Sequence, residues 1–265
     1  MSFWRRSAEA WSIILIVVLT LLCWEAAVRL FGIRSFILPA PSAIILEIMR
    51  TPKYLAFNGL YTLWSTLVGF GLAVVLGVVM AIGIVYSVVL ERTLYTWLVV
   101  LNSVPKVALA PVFVMWLGVD IAPKIAIALM IAIFSIVIDT VLGLRSVDPD
   151  MLNLAKSARA SPLQILIKIR LPNALPSLFA GMKVGIAFAL VGAIVGEFVA
   201  GESGLGAVIM QAQGAFDTAQ AFAAITILGV MGTALFYAVE VTERFVVPWH
   251  TSQRTKTMAG AIDGP

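Results

Sequence analysis

Six apolar stretches dominate this chain of 265 residues, each long enough to cross a bilayer core, which takes about 20 helical residues. They run Trp11–Phe31, Leu60–Tyr86, Thr93–Leu117, Ile121–Leu144, Leu178–Ala200 and Ala221–Val241. Lipid offers no hydrogen bonds to a backbone, so apolar segments of this length are expected to be helices. The fold class read from them is an all-α polytopic membrane protein with six transmembrane helices. Composition agrees: 61% of residues are hydrophobic and 12% charged, too few polar side chains to cover a water-soluble globule. Soluble enzymes and nucleic-acid readers are excluded, and the bilayer is the first expected partner.

The first stretch is too long for a signal-peptide core and runs on into Glu25 and Arg29, so it reads as a retained span. Basic residues set the orientation, because they concentrate on the cytoplasmic side. With both termini inside, Arg5, Arg6, Arg92, Arg145, Lys156, Arg159, Lys168, Arg170, Arg244, Arg254 and Lys256 are cytoplasmic, against Arg34, Arg50 and Lys53 outside. The positive net charge of +4 is therefore a topology signal rather than a cationic surface for nucleic acid.

Chemistry-bearing residues are scarce. One cysteine, Cys23, excludes an intramolecular disulfide, and one histidine, His250, excludes most histidine-based metal or triad chemistry. No G-x-x-x-x-G-K-[ST] loop is present. The expectation is no catalytic residue, no metal site and no cofactor in this chain. If ATP powers it, another chain binds the nucleotide.

Two loops carry information. Pro39-Ala40-Pro41-Ser42 opens an amphipathic stretch, Ala43–Arg50, that either lies on the outer bilayer face or packs on the bundle. The loop Arg145–Ser177 is too polar to span. Asp148-Pro149 reads as an N-cap followed by proline at the first helical position. Met151, Leu154, Ala155 and Ala158 then line one helical face. Ser161-Pro162-Leu163-Gln164 reads as a capping box for a second helix, expected to end before Pro172, with Pro176 forcing another break.

Small residues recur every fourth position in two spans, at Gly69, Ala73, Gly77 and Ala81 and at Gly181, Gly185, Ala189 and Ala193. Such stripes let helices pack closely in lipid. Polar groups inside spans are costly and are functional candidates by default. Asn102, Ser103, Pro105, Lys106 and Pro111 interrupt the third span. Asp139 lies near the inner end of the fourth and Glu197 near the outer end of the fifth. The translocation-path candidates are therefore Asn102, Ser103, Lys106, Asp139 and Glu197. The turn Ser203, Gly204, Leu205, Gly206 that follows is the candidate outer gate. Lys183 is placed in the first turn of the fifth span and expected to snorkel to the interface. Glu25 and Arg29, four apart, are expected to pair.

The loop 145–177 resembles the cytoplasmic signature of permease subunits of binding-protein-dependent ABC importers, which reads E-A-A, three residues, Gly, nine residues, I-x-L-P. Asn153-Leu154-Ala155 stands in the E-A-A place, Arg159 in the Gly place, and Ile169-Arg170-Leu171-Pro172 completes the motif. Further stretches are similar to the nitrate/sulfonate/taurine/bicarbonate branch: Phe36–Ser42, Val104–Pro111 with Trp116-Leu117-Gly118, Arg145–Pro149, Leu171–Pro176, and Gly196-Glu197-Phe198 with Ser203–Gly206.

The resemblance implies a type I ABC importer-like fold and a coupling segment made of Asn153, Leu154, Ala155, Lys156, Ser157, Ala158, Arg159, Ala160 and Ser161 that docks into an ATPase. It also implies two ABC ATPase subunits binding ATP and Mg, a second copy of this chain, and a periplasmic or extracellular substrate-binding protein. The expected location is the bacterial inner membrane. The expected activity is alternating-access import of a small solute, an anion such as sulfonate, taurine, nitrate or bicarbonate. Alternatives are a pyrimidine vitamin precursor or aromatic acid, and, from another class, an ion-coupled secondary transporter using Asp139 and Glu197. A membrane enzyme is disfavoured by the lack of catalytic side chains. The chain divides into 1–58 (first span and external segment), 59–245 (permease core) and 246–265 (cytoplasmic tail).

Overall fold

The computed structural model describes the backbone of residues 3–249 and the side chains from Leu15 onward, apart from those of residues 95, 99, 101 and 102. Most of the expected tail, His250 included, lies outside the described residues. Within them the chain is helical, without a strand. In chain order the α-helices are α1 (Phe3–Leu30), α2 (Pro41–Arg50), α3 (Pro52–Tyr86), α4 (Val88–Leu90), α5 (Thr96–Ser103), α6 (Ala110–Leu117), α7 (Ile121–Arg145), α8 (Pro149–Ser157), α9 (Pro162–Ile165), α10 (Leu171–Val199), α11 (Leu205–Gly214) and α12 (Thr218–Val246). A π-helical turn, Glu91–Tyr95, precedes α5. A second, Leu166–Arg170, joins α9 to α10, and a 3₁₀ turn, Lys106–Leu109, precedes α6.

Among the described residues, four helical segments are long and apolar enough to cross a membrane: Pro52–Tyr86, Ile121–Arg145, Pro162–Val199 and Thr218–Val246. The first expected span is the helix α1. The third, Thr93–Leu117, is not one helix. Pro105 biases Val104 away from helical torsions, and Pro105 itself is extended at φ −61° and ψ 98°. The chain restarts as a 3₁₀ turn and then as α6, with Pro111 in its first turn. The six stretches therefore resolve into four long spans, α1, and a discontinuous segment.

Two expected breaks are absent. Pro172 and Pro176 lie within one continuous helical run, Pro162–Val199, with Pro176 inside α10. The π-turn before Leu171 shifts the register, so that Leu171 N–H donates to Leu166 O. Helix-breaking prolines are tolerated at membrane depth where neighbouring groups satisfy the backbone. The fifth span accordingly starts well before Leu178.

The core is α7 seated in the groove between α3 and α10. The two small-residue stripes face it from either side, and Ala73, Ala81, Ala189 and Ala193 have no accessible surface to speak of. Ile136 fills the space left by both Gly77 and Gly185, while Ala128 lies under both Gly69 and Gly192. A Cβ at Gly192 would lie 2.6 Å from Ala128 Cα, closer than any packed pair tolerates. The stripes are thus helix contacts within one subunit.

The helix α2 packs on the bundle. Ile44 is buried with Leu55, Leu190, Leu205, Val208 and Leu228, while Ile45 and Met49 stay exposed. Its first turn is tied to α1, because Glu25 accepts hydrogen bonds from Ser42 N–H (3.0 Å) and Ser42 Oγ (2.7 Å) as well as from Arg29 Nε (2.6 Å). The expected Glu25–Arg29 pair forms, and it also caps the Pro-Ala-Pro-Ser motif.

Candidate functional site

The loop 145–177 has the local structure its sequence encodes. Asp148 caps α8 by accepting from Asp150 N–H at 2.8 Å. Ser161 and Gln164 form a reciprocal capping box, Gln164 N–H to Ser161 Oγ at 3.3 Å and Ser161 N–H to Gln164 Oε1 at 2.8 Å. Between them α8 ends in a Schellman motif: Arg159 N–H donates to Lys156 O and Ala160 N–H to Ala155 O. Arg159 is the left-handed residue of that motif, at φ 57°. The glycine of the resembled signature stands at this position because it carries no Cβ penalty there.

The loop is fastened to the end of α7. Arg170 donates to Leu144 O at 3.1 Å, and Asn173 Nδ2 donates to Gly143 O at 3.3 Å and Ser146 Oγ at 2.9 Å. These side chains satisfy carbonyls that a helix C-terminus leaves unpaired. On the outside of α8, Leu154 is 71% exposed and Met151 53% exposed, whereas Ala155 is half-buried. Leu163 and Ile167 continue the exposed apolar surface. Apolar side chains presented this way on a loop helix read as a contact for another molecule.

The path candidates do not gather in one place. Lys106, in the 3₁₀ turn, is half-buried with Nζ 5.7 Å from the centre of the Phe134 ring, a cation–π distance. Asp139 lies on the same helix α7, five residues or about 7.5 Å further along its axis; it is half-buried, and its Cβ packs against Gly181. Ser103 is exposed, and the side chain of Asn102 lies outside the described residues.

Glu197 is elsewhere and fully buried. Its Oε2 accepts from Gly206 N–H at 2.8 Å. Gly204 N–H donates to Asn58 Oδ1 at 2.8 Å, and Leu205 N–H to Thr62 Oγ1 at 2.9 Å. Three successive N–H groups at the start of α11 are thus satisfied by side chains from α3 and α10, with a carboxylate placed favourably at the positive end of the helix. Gly204, at φ 110°, lies directly against the Glu197 carboxylate. In this conformation Glu197 and the segment Ser203–Gly206 form a packed lock between α3, α10 and α11.

Lys183 departs from expectation. Because α10 starts at Leu171, Lys183 is deep in the helix, buried, and paired with the buried Glu243 of α12. It does not snorkel. Lys124 is also buried, with Nζ donating to Tyr61 Oη at 3.1 Å and lying 4.7 Å from the centre of that ring. The sequence reading missed Lys124, Glu243 and the buried polar row Asn58, Thr62, Ser65 and Thr66. Asn58, Thr62 and Thr66 recur every fourth residue, so a search for polar as well as small stripes in the second span would have found them.

Comparison with known proteins accords with this arrangement. Residues 73–249 match the family described as binding-protein-dependent transport system inner membrane component. The formylaminopyrimidine transport permease protein ThiX of Halalkalibacterium halodurans is 30% identical over 94% of this chain and 100% of its own. The riboflavin transport system permease protein RibX of Chloroflexus aurantiacus is 34% identical over 89% of each chain. The putative aliphatic sulfonates transport permease protein SsuC of Bacillus subtilis is 30% identical over 86% of this chain and 84% of its own. Such relatives fit the nitrate/sulfonate branch. In three dimensions the chain is similar to a solved chain of the MetNI methionine ABC transporter in an inward-facing conformation, with a TM-score of 0.64 and 20% identity, over 73% of this chain and 96% of that one. The fold is that of type I ABC importer permeases. The chain belongs to the family of binding-protein-dependent inner-membrane transport components: it is a multi-pass ABC permease, a translocation subunit and not an enzyme, with ATP hydrolysis carried by a separate chain.

Proposed function

We propose that two copies of this chain form the translocation path of an inner-membrane importer, fed by an external binding protein and driven by two ATPase subunits that bind ATP and Mg. The observation that carries this reading is α8, an apolar-faced helix capped at both ends, in a loop whose far end is fastened to α7 by Arg170 of the π-turn and Asn173 of α10. Those bonds couple the ends of α7 and α10, the two long helices that the α8 loop connects. The ATPase contact is the segment Asn153–Ser161, with Leu154 as its most exposed apolar side chain. Both termini are cytoplasmic on the balance of basic residues.

For the solute, the leading reading is a small organic or inorganic anion of the sulfonate, taurine, nitrate or bicarbonate kind. Lys106 supports it, because it stands where the helix is broken, and a cation beside a path solvates an anion at membrane depth. A second reading, a pyrimidine vitamin precursor or another heteroaromatic solute, is favoured by the likeness to ThiX and RibX. Uptake of labelled taurine, alkane sulfonate, formylaminopyrimidine and riboflavin by cells expressing the full transporter separates them. On the anion reading sulfonates enter, and Lys106→Met lowers their uptake at least about tenfold, equivalent to 1.4 kcal/mol, while the complex still assembles. Entry of the heterocycles alone, or normal sulfonate uptake by Lys106→Met, defeats the anion reading.

A further inference from the structure

Beside the end of α3 lies a cavity of about 290 Å³, on the side of the coupling segment turned away from Leu154; Lys156 and Ala160 of that segment line it. Two cations line it, Lys156 from α8 and Arg170 from the π-turn, and no acidic residue does. Tyr86, the last residue of α3, forms one wall: Arg170 stacks on its ring at 5.5 Å, and its hydroxyl donates to Pro162 O at 3.3 Å. Leu152, Pro162 and Ile165 supply the apolar remainder. Arg170 donates to Leu144 O, and its Nε is buried with no hydrogen-bond partner among the described residues. Among the described residues neither cation has a carboxylate within ion-pair distance.

Lys156 is exposed and Arg170 half-buried, and an anion in the hollow they line would be attracted by both. Guanidinium and ammonium groups with a polarisable ring are the donors that phosphate takes. The position favours a lipid source. The cavity opens at the end of a membrane-crossing helix, where headgroups lie, and its apolar wall suits a glycerol backbone. Its α8 lining faces away from Leu154, the exposed apolar residue of the ATPase contact on the coupling reading that this inference rests on, because Leu152 and Lys156 are two residues either side of Leu154, about 200° around α8 at 100° per residue. We propose that this cavity binds a phosphate group, the chemistry of an anionic phospholipid headgroup or of a soluble phosphate ester, between Arg170, Lys156 and Tyr86, bracing α8 against α3.

The test uses the purified full-length protein, stripped of lipid and titrated with phosphatidylglycerol, phosphatidylcholine or glycerol 3-phosphate, with binding followed by native mass spectrometry. The wild type is expected to retain one phosphatidylglycerol at least about tenfold more tightly than Lys156→Glu. Leu152→Trp, which fills the hollow and keeps both charges, is expected to lose it as well. Retention of phosphatidylglycerol without glycerol 3-phosphate identifies the lipid as the source, and binding of glycerol 3-phosphate with the same dependence on Lys156 identifies a soluble ester. Equal retention by the wild type and both variants overturns the proposal. So does phosphate binding that is absent while an acidic ATPase side chain cross-links to a cysteine placed at Lys156, which would assign the hollow to the partner protein.

Discussion

Replacing Gly204 by alanine tests the lock around Glu197 most severely. Gly204 sits at φ 110° and ψ 162°, a region that residues with a Cβ essentially never occupy, and forcing one there costs about 1–3 kcal/mol. The new methyl group would also overlap the Glu197 carboxylate. That carboxylate is fully buried and held by Gly206 N–H, so it has no room to retreat, and overpacking of this kind costs a further 1–3 kcal/mol or so. Together these give about 2–6 kcal/mol. At roughly 2–4 °C per kcal/mol for a chain of this size, the midpoint of thermal unfolding in detergent should fall by about 4 °C or more, and the most severe outcome is loss of folded protein from the membrane. Gly71→Ala is the control, because nothing lies within 4 Å of its Cβ position. Adding Glu197→Ala removes the overlap but leaves the torsional strain, so the double variant should be less unstable than the two single losses combined, by about 0.5–3 kcal/mol. A Gly204→Ala protein that melts within a degree of the Gly71→Ala control would refute this description of the turn.

Three further outcomes follow from the same geometry. Arg159→Gly should stabilise the protein by about 1 kcal/mol, because the left-handed conformation costs a residue with a Cβ roughly 1–2 kcal/mol and glycine's unfolded-state freedom returns only part of that; Arg159→Val should lower the melting midpoint instead. Lys183→Met or Glu243→Gln alone should destabilise by about 3–5 kcal/mol by leaving a buried group without its partner, whereas Lys183→Met with Glu243→Leu should be close to neutral; denaturant titration distinguishes the two patterns. Asn173→Ala, which strips a donor from the carbonyl of Gly143 and from Ser146, should cost about 1 kcal/mol in stability and lower coupled transport more than binding-protein docking, read by uptake beside a pull-down.

Local signals in the sequence carried well into three dimensions. Asp148-Pro149 and Ser161-Pro162-Leu163-Gln164 announce their caps because each encodes a hydrogen bond within a few residues. The glycine–alanine stripes announce their contacts because close approach of helices needs small side chains whatever the partner. The readings that failed depend on distant partners. Pro176 suggests a break only if nothing else supports the helix, and the upstream π-turn is not a local preference of Leu166–Arg170. Lys183 reads as a snorkelling residue until Glu243, sixty positions away, is brought against it. The packing of Glu197 (acceptor for α11, neighbour of Gly204, companion of Asn58 and Thr62) is likewise not visible until α3, α10 and α11 are assembled. The tract 93–117 carried its own warning in Pro105 and Pro111, and the structure turns that warning into an actual discontinuity.

The central claim is that α8 transmits ATP hydrolysis to the membrane helices, and Leu154 gives the most direct access to it. Its side chain is 71% exposed and plays no part in holding the loop to α7, so Leu154→Asp should leave folding and membrane insertion intact. In the docked complex the same substitution places a carboxylate in an apolar contact, at a cost of several kcal/mol. The measurement is ATPase stimulation by loaded binding protein, with solute uptake in parallel, in the reconstituted full transporter. Leu154→Asp should reduce both to near the unstimulated level, with normal thermal stability of the permease. Full stimulation and full uptake in that variant would contradict the assignment of α8 as the coupling helix.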